Sequence, residues 1–292
     1  MLKRWVMAVV LSGLLACGAI SGARAQQPMS SGLQPPNSSG WVFNVAPYLW
    51  MPTIQSSMKF NLPPALGGTV SAGTTIGFGT LLDHLNFATM VAADAQYDRY
   101  SILTDFMYLN LGGTGAHFST VNFPGLPRIP ITASSQTHVG LNLNAKIWTQ
   151  TGGYTLVKGD WGNFDVIAGF RYLGMPISID YDLAVSITGP RGNGPTFGGS
   201  GNVSGTLSLW NGIGGFRGRV RIGDTGLFVP YYFDIGAGGS ELTWQASSGI
   251  GYHTPVVDAS LTWRYLSFEQ GDSNVVQHMS INGPLLMATF TF

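Results

Sequence analysis

The stretch Leu242-Thr-Trp-Gln-Ala-Ser-Ser-Gly-Ile-Gly-Tyr252 alternates apolar and polar residues. The even positions include Leu242, Trp244, Ala246, Ile250 and Tyr252, and the odd positions, with Glu241 just before the stretch, include Thr243, Gln245, Ser247 and Gly249. Successive side chains of a β-strand point to opposite faces, so this spacing predicts a strand with one apolar and one polar face.

The same alternation recurs along the chain. It is present in segments 87–97, 100–110, 139–147, 164–172, 206–222, 227–237 and 257–268, with a first segment at 41–51 that can run on through Phe60 and a last one at 279–292. Each segment is near the length of about 9–11 residues that crosses a bilayer obliquely. Connections of one set are short (98–99, 158–163, 223–226, 253–255), and those of the other include the long segments 62–85, 112–136 and 184–203. This asymmetry predicts an all-β, antiparallel up-and-down transmembrane β-barrel of about ten strands, with roughly eight to twelve compatible with the pattern.

The composition agrees with a surface that does not face water. The 292 residues include 14 Lys+Arg and 14 Asp+Glu, so charged residues make up 10%, against about 25% in soluble domains. With 45% hydrophobic and 12% aromatic residues, the chain is too apolar for a disordered protein. Zero net charge excludes a nucleic-acid binder, and 41 glycines argue against a helical bundle.

A soluble β-sandwich is the alternative fold, because its strands also alternate. Aromatic residues distinguish the two folds. The pairs Tyr100 and Tyr108, Phe164 and Tyr172, and Trp244 and Tyr252 are spaced along the apolar faces. Such spacing is typical of the aromatic girdles at two membrane interfaces, and a sandwich core does not need it.

The N-terminus has the three parts of a secretory signal peptide. Lys3 and Arg4 precede the apolar run 5–15, and Ala23-Arg24-Ala25 is an A-x-A cleavage site. We therefore expect a signal peptide at 1–25, a Ser/Gly/Pro/Gln-rich linker at 26–40 and the barrel at 41–292. Leu14-Leu15-Ala16-Cys17 also resembles a lipobox, in which Cys17 would be the lipidated residue.

The C-terminus ends in Gly283-Pro-Leu-Leu-Met-Ala-Thr-Phe-Thr-Phe292. An alternating strand with Phe290 and a terminal Phe292 resembles the signal that outer-membrane barrels present to the barrel-assembly machinery. Six further sequence segments carry a family resemblance: Trp41-Val-Phe-Asn-Val-Ala-Pro-Tyr-Leu-Trp50, Leu81-Leu-Asp-His-Leu-Asn-Phe87, Leu103-Thr-Asp-Phe-Met-Tyr108, Ala168-Gly-Phe-Arg-Tyr172, Phe233-Asp-Ile-Gly236 and Thr243-Trp-Gln-Ala246. Together they resemble a family of uncharacterised proteobacterial outer-membrane proteins related to opacity-type surface antigens. The resemblance implies an outer-membrane barrel of unassigned role, without known catalytic residues.

If the apolar faces meet lipid, the charged residues point into the lumen. Six acids (Asp94, Asp105, Asp165, Asp234, Glu241, Asp258) then oppose six bases (Lys146, Arg171, Arg217, Arg219, Arg221, Arg264). A basic residue facing the membrane midplane would cost about 2–4 kcal/mol, which favours this orientation. We therefore predict a lumen ion-pair network of Asp94, Asp105, Lys146, Asp165, Arg171, Asp234, Asp258 and Arg264.

Arg217, Arg219 and Arg221 are spaced two residues apart, which places all three on one strand face. They are a candidate anion-binding site, and the alternative is a ladder that pairs with acids on neighbouring strands.

The sequence gives little support to an enzyme. His278-Met-Ser280 is similar to the His-x-Ser of the deacylase barrel, but the strand that follows it has no carboxylate to orient the histidine. Omptin-like proteolysis needs an Asp/His pair at the outer rim of a barrel. Asp83-His84 lies in a long loop, but this pair is better explained as the cap of a short helix at 81–85. No G-x-S-x-G with partners and no metal-spaced His cluster is present, so we expect no catalytic residues, metal or cofactor.

The expected function is that of a non-enzymatic, monomeric surface protein of the Gram-negative outer membrane. Its lumen would be filled by side chains, and its long loops would serve surface interaction or envelope integrity. Its partners would be outer-membrane lipid, lipopolysaccharide and the barrel-assembly machinery, with no nucleic acid. The alternative is a small channel for solutes or anions, because about ten strands make a barrel only slightly wider than side chains can fill.

Overall fold

The computed structural model describes residues 40–61, 69–112, 120–122, 140–141, 143–189, 192–271 and 276–292. The predicted signal peptide, the linker up to residue 39 and Cys17 lie outside these residues. The described chain contains the strands β1 (Trp41–Trp50), β2 (Thr53–Asn61), β3 (Thr69–Ile76), β4 (Leu85–Tyr97), β5 (Tyr100–Leu111), β6 (Thr120–Asn122), β7 (Gly140–Leu141), β8 (Leu143–Gly159), β9 (Gly162–Gly189), β10 (Gly192–Arg221), β11 (Leu227–Gly238), β12 (Leu242–His253), β13 (Asp258–Glu269) and β14 (Val276–Thr291), and the helix α1 (Phe78–Asp83).

Ten of these strands form a closed antiparallel barrel. Their order around the barrel is β1-β4-β5-β8-β9-β10-β11-β12-β13-β14. The last strand returns to the first, where Val45 of β1 pairs with Phe290 of β14. Closure leaves no unpaired edge in the barrel wall, as a structure that spans lipid requires. The predicted fold class and strand number are confirmed.

Short turns connect the barrel strands at one end, which we name the turn end. Residues 98–99, 160–161, 222–226 and 254–257 form these turns. Two of them contain left-handed residues, Asp98 (φ 53°) and Gly223 (φ 56°). The first and last strands also meet here, because Phe43 and Phe292 exchange two backbone hydrogen bonds. With an even number of antiparallel strands, both termini of the barrel must lie at one end.

The opposite end, the loop end, is more regular than predicted. The segment 62–85 contains β3 and α1, and the segment 184–203, predicted to be a loop, is mostly strand. There β9 and β10 continue as one ribbon to Gly189 and Gly192, with an irregularity in register between Asn193 and Thr196. Its many glycines suggested a loop, but backbone pairing with a neighbouring strand does not need side chains.

The strand β2 continues the line of β1 beyond Met51 and Pro52, and it pairs with the loop-end part of β14. The strand β3 pairs with β2, and the helix α1 follows. The helix covers residues 78–83 where the sequence predicted 81–85. Within the described residues, no helix has both the length and the apolar composition needed to cross a membrane.

Apolar residues cover the outer face of the barrel in a belt bounded by two groups of aromatic rings. Near the turn end Trp41 lies against Tyr97, Tyr100 against Tyr154, and Phe164 against Phe216. Toward the loop end Trp148, Phe170, Tyr172 and Trp210 form one cluster, and Trp244 stacks on Tyr265 at 4.6 Å. Tyr100 and Tyr108 are eight residues apart on β5, or about 20 Å along the axis at a strand tilt near 40°. This spacing is that of aromatic girdles at the two sides of a bilayer core of about 25 Å.

Candidate functional site

A fully buried ion pair lies in the middle of the lumen. Arg171 of β9 binds both carboxylate oxygens of Asp234 of β11, and neither side chain is exposed to solvent (0% for both). Arg171 Nε also donates to Thr149 Oγ1 at 3.2 Å. The strand β10 lies between β9 and β11. The pair therefore spans β10 on the lumen side, because both residues occupy inward positions of their strands.

The ion pair continues into a belt of hydrogen bonds across the lumen. Gln245 Oε1 accepts from Arg171 Nη2 at 3.2 Å and from Arg264 Nη2 at 2.8 Å. Arg264 also pairs with Asp105 at 2.8 Å, and Tyr48 donates to the same carboxylate at 2.6 Å. This belt, which we name the central belt, joins strands from all sides of the barrel. Its charges have opposite partners, which offsets the cost of burying them.

Apolar side chains fill the lumen between the central belt and the loop end. Trp50, Leu173, Leu266 and Phe268 are each at most 1% exposed and belong to one hydrophobic cluster. The guanidinium of Arg264 lies 4.8 Å from the Trp50 ring, so the cluster packs directly on the central belt. Leu81 of α1 belongs to the same cluster and adds to it from the loop end.

A second set of ion pairs lies nearer the turn end. Arg217 binds Asp94 through Nη2, and its Nε is 3.6 Å from Asp165. Arg219 Nη1 binds Asp258 at 2.9 Å, and His253 Nδ1 lies on the other oxygen of that carboxylate. Arg217 and Arg219 keep 14% and 17% of their side chains exposed, whereas Arg171 and Asp234 in the belt are fully buried.

The structure therefore divides the three arginines of the candidate anion site. Arg217 and Arg219 pair with acids of other strands, as in the ladder alternative. Arg221, the last residue of β10, makes no ion pair with any side chain in the described segments. The three side chains thus do not act as one set of free cations.

Seven of the eight residues predicted for the lumen network lie in ion pairs inside the barrel: Asp94, Asp105, Asp165, Arg171, Asp234, Asp258 and Arg264. Lys146 does not. The residues on either side of it in β8, Ala145 and Ile147, are the buried ones, so Lys146 lies on the outer face. Its ammonium is 5.9 Å from the centre of the Tyr108 ring. It lies two residues beyond the girdle residue Trp148, where a lysine can extend to the headgroups.

The sequence did not identify Tyr48, Gln245 and His253, which complete the two sets of polar contacts. Tyr48 and Gln245 occupy the inward positions of their strands, so the alternation that located the acids also marks them. Their uncharged side chains were not recognised as partners of charges.

A cavity of about 330 Å³ lies between the central belt and the turn end. Asp105 and Arg264 of the belt border it at one end, and Asp98 and Lys158 border it at the turns. The described residues that line it include the bases Lys158, Arg217, Arg219 and Arg264 and the acids Asp94, Asp98, Asp105, Asp165 and Asp258. This half of the lumen is therefore polar and not completely filled.

The residues considered for catalysis are not arranged as a catalytic site. His278 Nε2 is 3.4 Å from Ser267 Oγ of the neighbouring strand, and not bonded to Ser280. Glu269 is the register partner of His278, but among the described contacts no hydrogen bond or ion pair joins them. His84 caps the end of α1, and its ring lies 2.8 Å from the Thr80 carbonyl oxygen. The described part of the chain holds no group of three metal-binding side chains.

The residues of the expected assembly signal lie at the closure of the barrel. Phe290 is paired in β14, and Phe292 extends beyond the strand with 75% of its surface exposed.

No protein-family model and no curated protein matches the chain. Among solved structures, the outer membrane protease OmpT from Escherichia coli is similar over 87% of this chain and 98% of its own, with 10% identity and a TM-score of 0.45. Ail, the attachment invasion locus protein of Yersinia pestis, covers 87% of this chain and 100% of its own at 8% identity, with a TM-score of 0.31. The P. putida toluene transporter TodX covers 87% and 90% at 8% identity, with a TM-score of 0.30.

The closed barrel and its aromatic-bounded apolar belt are those of an integral β-barrel of the Gram-negative outer membrane. The resemblance to opacity-type surface antigens stays a prediction.

Proposed function

We propose that this protein is a non-enzymatic outer-membrane barrel that is closed to solutes and acts at the cell surface through its loop end. The observation that carries the proposal is the filled lumen. The central belt and the apolar cluster next to it include Arg171, Asp234, Trp50 and Leu266, none more than 1% exposed. A path through the barrel would have to break buried ion pairs and open a packed apolar layer, and both changes are costly.

The loop end supplies the surface for an interaction. Tyr172 and Trp210 of the girdle are register partners, and beyond them β9 and β10 continue for 17 and 18 residues. At about 3.3 Å per residue this ribbon extends roughly 55 Å along the strands past the girdle. We propose that it contacts another surface or the lipopolysaccharide layer, for adhesion or envelope integrity, and that the barrel works as a monomer placed by the assembly machinery.

Planar bilayer recordings test the closed lumen. We expect no steady openings from the purified protein, whereas a general porin reconstituted in parallel conducts. Steady openings would overturn the closed-barrel proposal in favour of a small channel for solutes or anions.

Shortening the ribbon tests its role. Ile177 and Gly205 are register partners, so a two-residue Asn-Gly turn can replace 178–204 without changing the barrel. The matched control keeps the ribbon and carries Pro190→Asn and Arg191→Gly. We expect both variants to migrate as folded barrels. A deletion strain and the shortened variant should lose adhesion or resistance to deoxycholate, and the matched control should keep both. Wild-type behaviour of the shortened variant in both assays would contradict the proposal.

A further inference from the structure

One wall of the turn-end cavity is lined by hydroxyl groups. Ser247 of β12, Ser260 and Thr262 of β13 and Thr289 of β14 border it. All four occupy inward positions. Ser260 and Thr289 lie two residues from Asp258 and Met287 on the same strands, and these neighbours on the same strand face also border the cavity. Among the described residues, no side-chain hydrogen bond engages these four hydroxyl groups, which border the cavity. A hydroxyl group both donates and accepts, so this wall offers bonds of both kinds.

The charged wall offers no free buried ion. Asp94 accepts hydrogen bonds from Arg217 and from the side chains of Asn44 and Gln96. Asp258 accepts from Arg219. With four bases and five acids among the described residues of the lining, the net charge is one negative. A small anion meets no excess of positive charge here, and a cation meets buried carboxylates that are already paired.

Apolar surface completes the cavity between the two walls. Leu285 and Met287 of β14 border it, as does the ring of Phe228. This ring packs over Gly251, where a Cβ atom would lie 2.3 Å from the ring, so only glycine leaves it in place. Such a mixture of hydroxyl, paired charged and apolar groups, in a volume of about 330 Å³, is the composition of a small-molecule site.

We propose that the turn-end cavity binds a neutral polyhydroxylated molecule, a mono- or disaccharide, that enters from the turn end. The hydroxyl wall and the paired charges would bond its hydroxyl groups, and the C–H face of its ring would lie against Met287 and the edges of Phe228 and Leu285 that border the cavity. This goes beyond the proposed function, because the cavity lies on the turn-end side of the closed lumen and its ligand need not cross the barrel.

Ligand-observed NMR on the full-length barrel in detergent micelles tests this proposal. The probes are glucose and maltose, with inorganic phosphate and glycine as charged counterparts, each at about 10 mM to reveal dissociation constants near 1 mM. We expect saturation transfer to a sugar and none to phosphate or glycine. Transfer to no sugar, or to phosphate or glycine alone, would overturn the proposal.

Two variants locate the binding. Ser260→Phe fills the cavity and should weaken sugar binding at least about tenfold, which is about 1.4 kcal/mol. Its matched control, Ala259→Phe, adds the same ring to the exposed outer face next to it and should bind as the wild type. Thr289→Val removes one hydroxyl at nearly constant volume and should weaken sugar binding about threefold. This variant provides the test if Ser260→Phe does not fold. Sugar binding that survives these changes in folded protein would show that the cavity is not the site, whatever the bilayer recordings give.

Discussion

The two halves of the lumen are built from different chemistry. Toward the loop end, Trp50, Leu266 and Phe268 form a packed apolar filling, whereas toward the turn end Arg217 and Arg219 pair with acids around a cavity. The central belt lies between the halves. The difference teaches that one barrel wall can enclose both a sealed and an accessible region. On β13 the inward residues change from polar near the turn end to apolar near the loop end.

The largest effect is expected at the central belt. Arg171→Ala leaves Asp234 buried without its partner, and such a loss costs about 3–5 kcal/mol of unfolding free energy. Urea unfolding in detergent, followed by the change in gel migration between folded and unfolded barrel, measures it. The double variant Arg171→Met with Asp234→Leu removes both charges and should recover most of the stability. Arg171→Ala as stable as the wild type would show that the buried pair with Asp234 does not stabilise the barrel.

A smaller effect is expected in the apolar half. Leu266→Ala opens a void beside Phe268 and should lower the unfolding free energy by about 2–4 kcal/mol. The matched control on the same strand is Leu261→Ala, whose side chain is half exposed on the outer face and should cost clearly less. The same urea titration compares them, and equal losses would contradict the packed filling.

The smallest effect is expected at the turn end. Arg219→Ala breaks a pair with Asp258 that keeps 17% and 13% of its side chains exposed, so we expect a loss of about 1–2 kcal/mol, between that of an exposed pair and that of a fully buried one. The same titration in high salt should show a smaller loss, since salt screens exposed pairs. A loss as large as that of Arg171→Ala would remove the contrast between the two halves.

Most of the barrel could be predicted because alternation is a local property. The ten strands, the short turns and the outer position of residues such as Trp244 and Tyr252 follow from it. Only the glycine-rich β10 half of the ribbon carries little alternation, whereas the β9 half alternates over residues 177–188 and could have been predicted as a strand. The apolar filling had a signal on two strands: at the loop ends of β5 and β13, Met107 and Leu109, and Leu266 and Phe268, make the inward face apolar.

The site was predicted only in part. Parity placed Asp94, Asp165 and Arg217 inside the barrel, but the same argument put Lys146 there as well. The prediction for Lys146 was wrong because strand alternation was used without regard to the depth of the residue in the membrane. A lysine near the membrane interface costs little free energy on the outer face. Tyr48 and Gln245, which hydrogen-bond to the charged groups of the central belt, were not predicted because they are uncharged and the prediction considered only charged residues.

The sequence by itself determined that the chain forms a barrel of about ten strands with an apolar outer face, because side-chain alternation and strand length are properties of each segment. Only the tertiary structure decided which charges meet. Arg171 finds Asp234 across 63 residues, and Arg217 finds Asp94 across 123. The strand register around the barrel brings these residues together despite their separation along the sequence. That register depends on all the strands together. The tertiary structure likewise decided that the lumen is sealed in one half and hollow in the other, because filling depends on how side chains from opposite walls pack together.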